Sequence, residues 1–180
     1  MSSCCLPASD GVNHDVERTE LIQHCPVCGK RGKGVDTLTV KAMLDCSLHA
    51  IRPSGYGFCR SQDCPVVYFS RDGEQTLVEA DLRVLVHQKH PSEDSVFVCY
   101  CFRHTPGSIR AEVQKTGQST VVETVTHGTQ TNQCACEIRN PQGSCCLGNV
   151  KAVLHQIVVA GSGFPHGQGS DRGRVLPPRS

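Results

Sequence analysis

The chain has 180 residues and a formal net charge of +1, from 18 basic and 17 acidic residues. This length fits one or two domains, and the balanced charge provides no basic field to attract nucleic acid or an anionic membrane surface. No run of about 18 apolar residues is present, which excludes a transmembrane helix, and the first twenty residues show no secretory signal. We therefore expect neither a nucleic-acid nor a membrane partner.

Cysteine is the unusual residue of this sequence. There are 13 cysteines, but no tryptophan, five phenylalanines and three tyrosines. A thiol-rich chain without a secretory signal is expected in the cytoplasm, where thiols stay reduced and serve metal binding or redox chemistry. Most of the aromatic residues lie close to cysteines in the sequence, so we expect the core to be built around metals. No pattern of a hydrolase nucleophile or of paired catalytic carboxylates stands out.

Both ends of the chain have the composition of unfolded segments. Residues 1–20 are polar and predict a flexible leader, and residues 160–180 are rich in Gly and Pro and predict a disordered tail. Cys4 and Cys5 are adjacent, and Cα atoms about 3.8 Å apart are too close for an easy disulfide. This pair is either incidental to the leader or a mobile thiol pair that captures a soft ion such as Cu(I).

Residues 21–90 are predicted to form a small, mostly β, zinc-ribbon-like unit. Thr39 is a suitable N-cap for a short helix over residues 40–48, in which Cys46 would be a small core residue. Runs of β-branched and aromatic residues between turn residues predict three short strands. These are YGF before Cys59, VVYF after Cys64, and residues 75–78 after a turn at Asp72-Gly73.

A polar, proline-containing break at residues 90–94 predicts a boundary before a mostly helical unit at residues 95–159. Thr105 and Pro106 have the N-cap and first-turn positions of a helix, which Gly117 ends. The predicted elements are a strand or extended segment over 96–99, helices over 106–115, from about 120 to 126 and over 147–159, and a long loop over 128–145. The predicted fold class is therefore α+β.

Two cysteine pairs in the first unit predict a metal site. Cys25 and Cys28 frame CPVC, whose spacing lets two thiolates converge on one ion, and Cys59 and Cys64 frame a second clip. Four thiolates without an open position suit a structural Zn²⁺, which would add folding energy to a unit with a small core. The alternatives are reduced, buried cysteine pairs or a CxxC redox motif, although the latter lacks its βαβ context. His24 could replace one ligand, but we expect it to be a solvated neighbour.

Six cysteines of the second unit compete for a second metal site. They are Cys99, Cys101, Cys134, Cys136, Cys145 and Cys146. Four thiolates from a CxC turn and from a distal loop that leads into a helix can hold a [2Fe-2S] cluster, with two ligands per iron. A ligand just before Leu147 would lie at a helix N-terminus, which favours an anionic cluster. His104 either tunes such a cluster or is a solvated residue at the start of a helix.

These motifs together resemble the N-terminal domain of CopZ-type copper metallochaperones, which pairs a zinc-binding subdomain with a [2Fe-2S] subdomain similar to bacterioferritin-associated ferredoxin. The resemblance is carried by CPVC, GFCRSQDCPVVYF, VCYCFRHT and CACEIRNPQGSCCLGNV, and it covers roughly residues 22–158. It implies zinc ligands Cys25, Cys28, Cys59 and Cys64. It implies cluster ligands Cys99, Cys101, Cys136 and Cys146, with Cys134 and Cys145 as spare thiols or substitutes.

The resemblance implies a redox and metal-handling protein whose cluster transfers single electrons, for example to reduce Cu(II) to Cu(I). The expected partners are copper or another soft metal ion and a redox or copper-transport protein. CopZ-type proteins also carry a heavy-metal-associated domain with an MxCxxC loop, and no such motif follows Cys146 here. A ferredoxin-like electron-transfer protein without metal cargo is therefore the alternative. A zinc-ribbon protein that binds nucleic acid is disfavoured by the balanced charge.

Overall fold

The computed structural model describes residues 23–161, which combine one antiparallel sheet with five α-helices. The strands are β1 (Lys33–Val35), β2 (Tyr56–Phe58), β3 (Val66–Ser70) and β4 (Thr76–Val78). The helices are α1 (Thr37–Met43), α2 (Pro106–Thr116), α3 (Val121–Gln130), α4 (Cys136–Arg139) and α5 (Leu147–Gly161). The predicted α+β class is confirmed. In this part of the chain, no helix is long and apolar enough to cross a membrane.

The sheet has the strand order β1-β2-β3-β4, and each neighbouring pair is antiparallel. The inner strand β3 is buried along its whole length, because its β-branched and aromatic side chains suit a strand that is covered on both faces. The turn to β4 is fixed by side chains: Ser70 Oγ donates to Asp72 Oδ1 at 2.6 Å, and Gln75 N donates to Ser70 Oγ at 2.8 Å. The predicted turn at Asp72-Gly73 is thereby confirmed.

Helix α1 and the sheet enclose the first hydrophobic core. Val40, Met43 and Leu44, which have helical spacing, are buried against side chains of β2 and β3. Tyr56 and Phe58 are the β2 residues in this core, and both are fully buried. Large aromatic side chains give a small sheet most of its buried apolar area, and this core contains none of the predicted metal ligands.

A second core is formed by α2, α3 and α5 around two cysteines. Its buried members are Val98, Cys99, Ile109, Val121, Val125, Cys146, Val150 and Val153. α2 begins with a capping box, in which Ser108 N donates to Thr105 Oγ1 at 3.1 Å and Thr105 N donates to Ser108 Oγ at 3.0 Å. It ends at Gly117, whose positive φ of 80° forms the left-handed C-cap. The predicted start and stop of this helix are confirmed.

The sheet and the helical core meet at the NPQG sequence that follows α4. Tyr68 Oη, on β3, donates to the Pro141 carbonyl oxygen at 2.7 Å. Gly143 has a φ of +63°, and a Cβ atom there would lie 2.9 Å from Val35 Cγ2, so both conformation and space require glycine. The two parts therefore pack directly on each other, and the domain boundary at residues 90–94 stays a prediction.

The helix predicted over residues 40–48 had the wrong bounds. Asp36 caps α1 instead of Thr39, because its carboxylate accepts a hydrogen bond from Leu38 N at 2.7 Å. Thr39 lies inside the helix and is buried. Leu44 adopts an extended conformation and bridges to the chain beyond β4, so a tertiary contact ends the helix.

Four other details differ from prediction. Cys46 lies beyond the end of α1 and is exposed, so its assignment to the core was wrong. Residues 96–99 form bends with one isolated bridge instead of a strand. The loop predicted over 128–145 includes the end of α3 and the single turn of α4. Strand β1 was not predicted, because Lys33-Gly34-Val35 has a single β-branched residue and no aromatic residue.

The predicted leader and tail fall largely outside the structure. Residues 1–22, which include Cys4 and Cys5, and residues 162–180 lie outside the described residues. α5 continues to Gly161, so the predicted tail begins later than residue 160.

Gly57 provides a test of the sheet packing. The Phe69 ring lies across Gly57 on the neighbouring strand, and a Cβ atom at Gly57 would be 2.4 Å from Phe69 Cζ. We expect Gly57→Ala to lower the free energy of unfolding by about 1–3 kcal/mol, because overpacking displaces a buried ring. Chemical denaturation measures this. Gly148→Ala is the control, since its Cβ meets nothing within 4 Å and alanine is favoured in a helix; equal losses in both variants would contradict the packing argument.

Candidate metal centres

The first pair of cysteines lies in a tight turn that precedes β1. Gly29 N donates to the Cys25 carbonyl oxygen at 2.8 Å, and Cys25 N donates to the Lys30 carbonyl oxygen at 2.9 Å. Gly29 has a φ of +68°, which allows the chain to reverse directly after Cys28. The CPVC turn therefore directs both thiols to the same side. His24, next to the turn, is exposed, as predicted.

The second pair lies where β2 ends and β3 begins. Cys59 N donates to the Val67 carbonyl oxygen at 2.9 Å, so the antiparallel pairing continues up to this cysteine. Cys64 N donates to the Ser61 carbonyl oxygen at 3.3 Å and closes the intervening loop. The hairpin formed by β2 and β3 thus brings together two cysteines separated by four residues in the sequence.

The structure brings these four cysteines into one compact group. The sulfur atoms of Cys25, Cys28, Cys59 and Cys64 all lie within 4.8 Å of one another. Two of the distances are 3.8 Å, from Cys25 Sγ to Cys64 Sγ, and 3.6 Å, from Cys28 Sγ to Cys59 Sγ. A tetrahedral ion with metal–sulfur bonds of about 2.3 Å separates its sulfur ligands by roughly 3.8 Å. The donor set and its spacing therefore fit Zn²⁺.

Burial and electrostatics of the four thiols also fit a cation. Cys25 and Cys59 are each 1% exposed and Cys64 is 3% exposed. Burial raises the pKa of Cys59 to about 12 and also raises the pKa of Cys64. Burial acts in the same sense on Cys28, but a backbone hydrogen bond at Lys30 and hydrogen bonds with the other thiols lower its pKa to about 7. A divalent cation would allow all four thiols to ionise together.

A buried aromatic ring and two lysines surround this group. Val66 and Phe69 pack against the cysteines in a cluster separate from the α1 core. Lys30 Nζ donates to Ser61 Oγ at 3.1 Å, within the loop between Cys59 and Cys64. Lys89 Nζ donates to three main-chain carbonyl groups of the same region, and its charge acts to lower the pKa of Cys59. No sequence pattern indicates a role for Lys89, which lies 25 residues after Cys64.

The remaining predicted ligands lie at the ends of loops in the helical part. Cys99 and Cys101 belong to a loop that is closed by a bridge between Cys99 and His104, with backbone hydrogen bonds of 3.1 and 3.2 Å. Cys136 is the first residue of α4, and Cys146 directly precedes α5. The Cys146 carbonyl oxygen accepts from Val150 N at 3.0 Å, so this cysteine stands at the N-terminus of α5, as predicted.

These four cysteines form two pairs. Cys101 Sγ and Cys136 Sγ are 3.8 Å apart, and Ala135 N donates to Cys101 Sγ at 3.4 Å. A hydrogen bond from the Cys146 thiol lowers the pKa of Cys99 to about 7, and the same hydrogen bond raises the pKa of Cys146. Among residues 23–161, the first cysteine group is the only cluster in which three or more potential ligand atoms of Cys, His, Asp or Glu lie within 4.8 Å of one another. Two separate pairs fit a site with two metal ions and two thiolates on each.

Two further cysteines flank this second group. Cys134 is half-buried and Cys145 is exposed. Burial is the main reason for the raised pKa of Cys136, and the charges of Cys134 and Cys145 act in the same direction.

His104 is not the solvated residue considered above. Its Nε2 atom is buried without a hydrogen-bond partner among the described residues, and burial lowers its pKa.

The fold and the cysteine groups define a small cysteine-rich metal-binding domain, and comparisons with known proteins agree. Residues 22–83 match the family zf_CopZ, described as a zinc binding domain. Over 126 residues the chain is 32% identical to the copper chaperone CopZ of Archaeoglobus fulgidus, which covers 69% of this chain. The X-ray structure of the N-terminal domain of Archaeoglobus fulgidus CopZ matches with a TM-score of 0.61 and 29% identity, over 72% of this chain and 96% of that chain.

The chain therefore carries a zinc-binding domain of the CopZ N-terminal type. It spans 58% of the length of the Archaeoglobus fulgidus chaperone. The resemblance found in the motifs is thereby confirmed, whereas the assignment of individual cysteines to metals stays a prediction.

A pair of serine substitutions tests the first group. We expect Cys59→Ser to weaken zinc binding by more than the roughly 10–100-fold that loss of an outer-shell partner costs, because it removes one of four thiolates. Zinc content after gel filtration and a competition titration with a chromogenic chelator measure this. Cys46→Ser is the matched control, since Cys46 is exposed outside the group. Similar zinc loss in both variants would show that the group is not the zinc site.

Proposed function

We propose that the chain is a cytoplasmic redox and metal-handling protein with two metal centres. Cys25, Cys28, Cys59 and Cys64 hold one structural Zn²⁺, and Cys99, Cys101, Cys136 and Cys146 hold a [2Fe-2S] cluster. The cluster would accept and donate single electrons. The protein would handle copper or another soft metal, and the cluster would pass one electron to Cu(II), which produces Cu(I). The observation that carries this proposal is the division of eight cysteines into one compact group and one group of two pairs.

The zinc assignment is supported by the closure of the first group. Three of its thiols are buried, and four thiolates leave no position for a substrate, which is typical of structural zinc. The sheet is short, and the face that carries Cys25, Cys59 and Cys64 has only Val66 and Phe69 as other buried members. A metal at this place supplies cohesion that a face with so few apolar side chains lacks.

The cluster assignment is supported by the surroundings of the second group. Cys146 stands at the N-terminus of α5, a helix of 15 residues, whose free N–H groups and dipole favour negative charge. Ala135 N donates to Cys101 Sγ, and such hydrogen bonds to ligand sulfur raise a reduction potential. Cys99 and Cys146 lie within an apolar core, whereas Cys101 is half-buried. These residues would hold the cluster on the buried side, at Cys99 and Cys146, and leave it near solvent on the side of Cys101.

The partners follow from the same reasoning. The matched relative is named a copper chaperone, and we propose for this chain a copper or other soft-metal cargo, together with a redox protein or copper-transport protein that exchanges electrons or metal with it. A cytoplasmic location is proposed because the function depends on many thiols that must stay reduced.

Metal analysis and electron paramagnetic resonance test the two centres. We expect about one zinc and about two irons per chain after anaerobic purification, and a rhombic S = 1/2 signal after reduction with dithionite. Cys136→Ser should lose the visible chromophore and keep its zinc, because it removes a ligand of the second group only. Cys134→Ser and Cys145→Ser are the matched controls. Loss of the chromophore in either control would show that the substituted cysteine, and not its neighbour, is the cluster ligand. A chain that binds zinc but no iron after reconstitution would refute electron transfer.

Copper chemistry separates the two candidate roles. We expect one equivalent of Cu(II) to reoxidise the reduced protein, with Cu(I) detected by a bicinchoninate-type chelator. Zn²⁺, which is not reduced by such a centre, is the control ion. A reduced cluster that Cu(II) leaves unchanged would favour the ferredoxin-like role without metal cargo.

A further inference from the structure

Residues 86–90, which connect the sheet to the helical part, contact the first cysteine group and residues that neighbour the second. We propose that this segment, here called the linking turn, positions the second group in response to zinc in the first, with Lys89 as its main positioning residue. Loss of zinc would therefore loosen the cysteines that hold the cluster. This inference rests on the proposed function for the identity of the two metals.

Lys89 fixes the linking turn to the first group. Its Nζ donates to the carbonyl oxygens of Ser61 at 2.7 Å, Cys64 at 2.9 Å and Val66 at 2.7 Å. An ammonium group has three donors, and here all three are directed at the loop that begins at Cys59 and at the strand that follows it. These carbonyl groups converge only while the loop keeps its shape, and a tetrahedral ion bound by its two cysteines fixes that shape.

The next contact of the linking turn reaches the CxC loop. His87 N donates to Tyr100 Oη at 3.0 Å, and Tyr100 Oη donates to the Leu85 carbonyl oxygen at 2.8 Å. Tyr100 is 7% exposed and lies between Cys99 and Cys101. Because its hydroxyl is held from two sides, a displacement of the linking turn would move the residue that separates the two cysteines.

A third contact reaches the loop before α5. Gln88 Nε2 donates to Gln142 Oε1 at 2.9 Å. Gln142 is buried, and its own Nε2 donates to the carbonyl oxygens of Ser144 at 3.2 Å and Cys145 at 3.0 Å. Gln142 therefore shapes the backbone directly before Cys146. The linking turn thus reaches a backbone segment beside each half of the second group.

The linking turn is held closed at its own ends. Glu79 Oε1 accepts from Val86 N at 2.5 Å, and Glu79 Oε2 lies 2.6 Å from His90 Nε2. Val86 is fully buried in the core beneath α1. A segment anchored in this way moves as one body, so displacement at Lys89 reaches His87 and Gln88.

A double-mutant cycle tests the inference in the full chain. Cys28→Ser weakens the zinc site, and Lys89→Met removes the three donors. We expect each variant to bleach several-fold faster in air, measured by the visible absorption of the cluster. The double variant should bleach no faster than the faster single variant, because both changes act through one route. Lys89→Arg should restore part of the lifetime, and Lys151→Met, which removes a charge from an exposed position on α5, should match the wild type.

A second experiment does not need the cluster. Hydrogen exchange of the chain with and without zinc should show lower protection over residues 97–104 and 140–146 when zinc is removed. In Tyr100→Phe, which leaves the zinc cysteines intact, this response at residues 97–104 should disappear while zinc content is unchanged. Two results would overturn the inference. One is a bleaching rate in the double variant whose increase equals the product of the two single increases, and the other is a loss of hydrogen-exchange protection confined to residues 25–70. A wild-type chain without chromophore would instead refute the [2Fe-2S] proposal and leave hydrogen exchange to decide.

Discussion

Four cysteine sulfur atoms held within 4.8 Å of one another are the constraint on which one face of the sheet depends. Without a cation, burial raises the pKa of Cys59 and Cys64, so these thiols stay protonated near neutral pH and contact one another only weakly. A divalent ion converts the same atoms into thiolate ligands, and its binding energy becomes folding energy. The opposite face has an ordinary core of aromatic residues beneath α1. A zinc ion bound here would thus take the place of apolar contacts on one side of the sheet only.

The features that the sequence predicts correctly are those determined by neighbouring residues. The CPVC turn, the VVYF strand and the helix that begins at Thr105 and ends at Gly117 each depend on contacts within a few residues. The spacing of Cys25 and Cys28 and of Cys59 and Cys64 predicts their clustering for the same reason, because each pair is closed by its own loop. Where prediction failed locally, two signals competed. Asp36 and Thr39 are both suitable N-caps, and in the structure Asp36 caps α1 while Thr39 is buried within it.

The contacts that unite the two parts of the fold could not be predicted in this way. Lys33 on β1 donates to the hydroxyl of Ser144, 111 residues away in the sequence, and Tyr68 reaches Pro141 across 73 residues. Periodicity carries no information about pairs of such separation, since each partner satisfies the local pattern with or without the other. Gln142 illustrates the point: the NPQG sequence predicts a loop, whereas its buried side chain organises the backbone before α5.

On the proposed function, the choice of metals suits this close packing. The linking turn contacts the loop of the first cysteine group and the CxC loop of the second, and on our proposal it passes a change of shape at one site to the other. Zn²⁺ has no redox chemistry under cellular conditions and no geometric preference that varies with oxidation state. A site of this kind keeps its dimensions while a neighbouring centre gains and loses an electron. On the proposed function, the inert ion therefore keeps the second set of cysteines in one arrangement in both oxidation states, and a smaller rearrangement on electron transfer favours faster exchange.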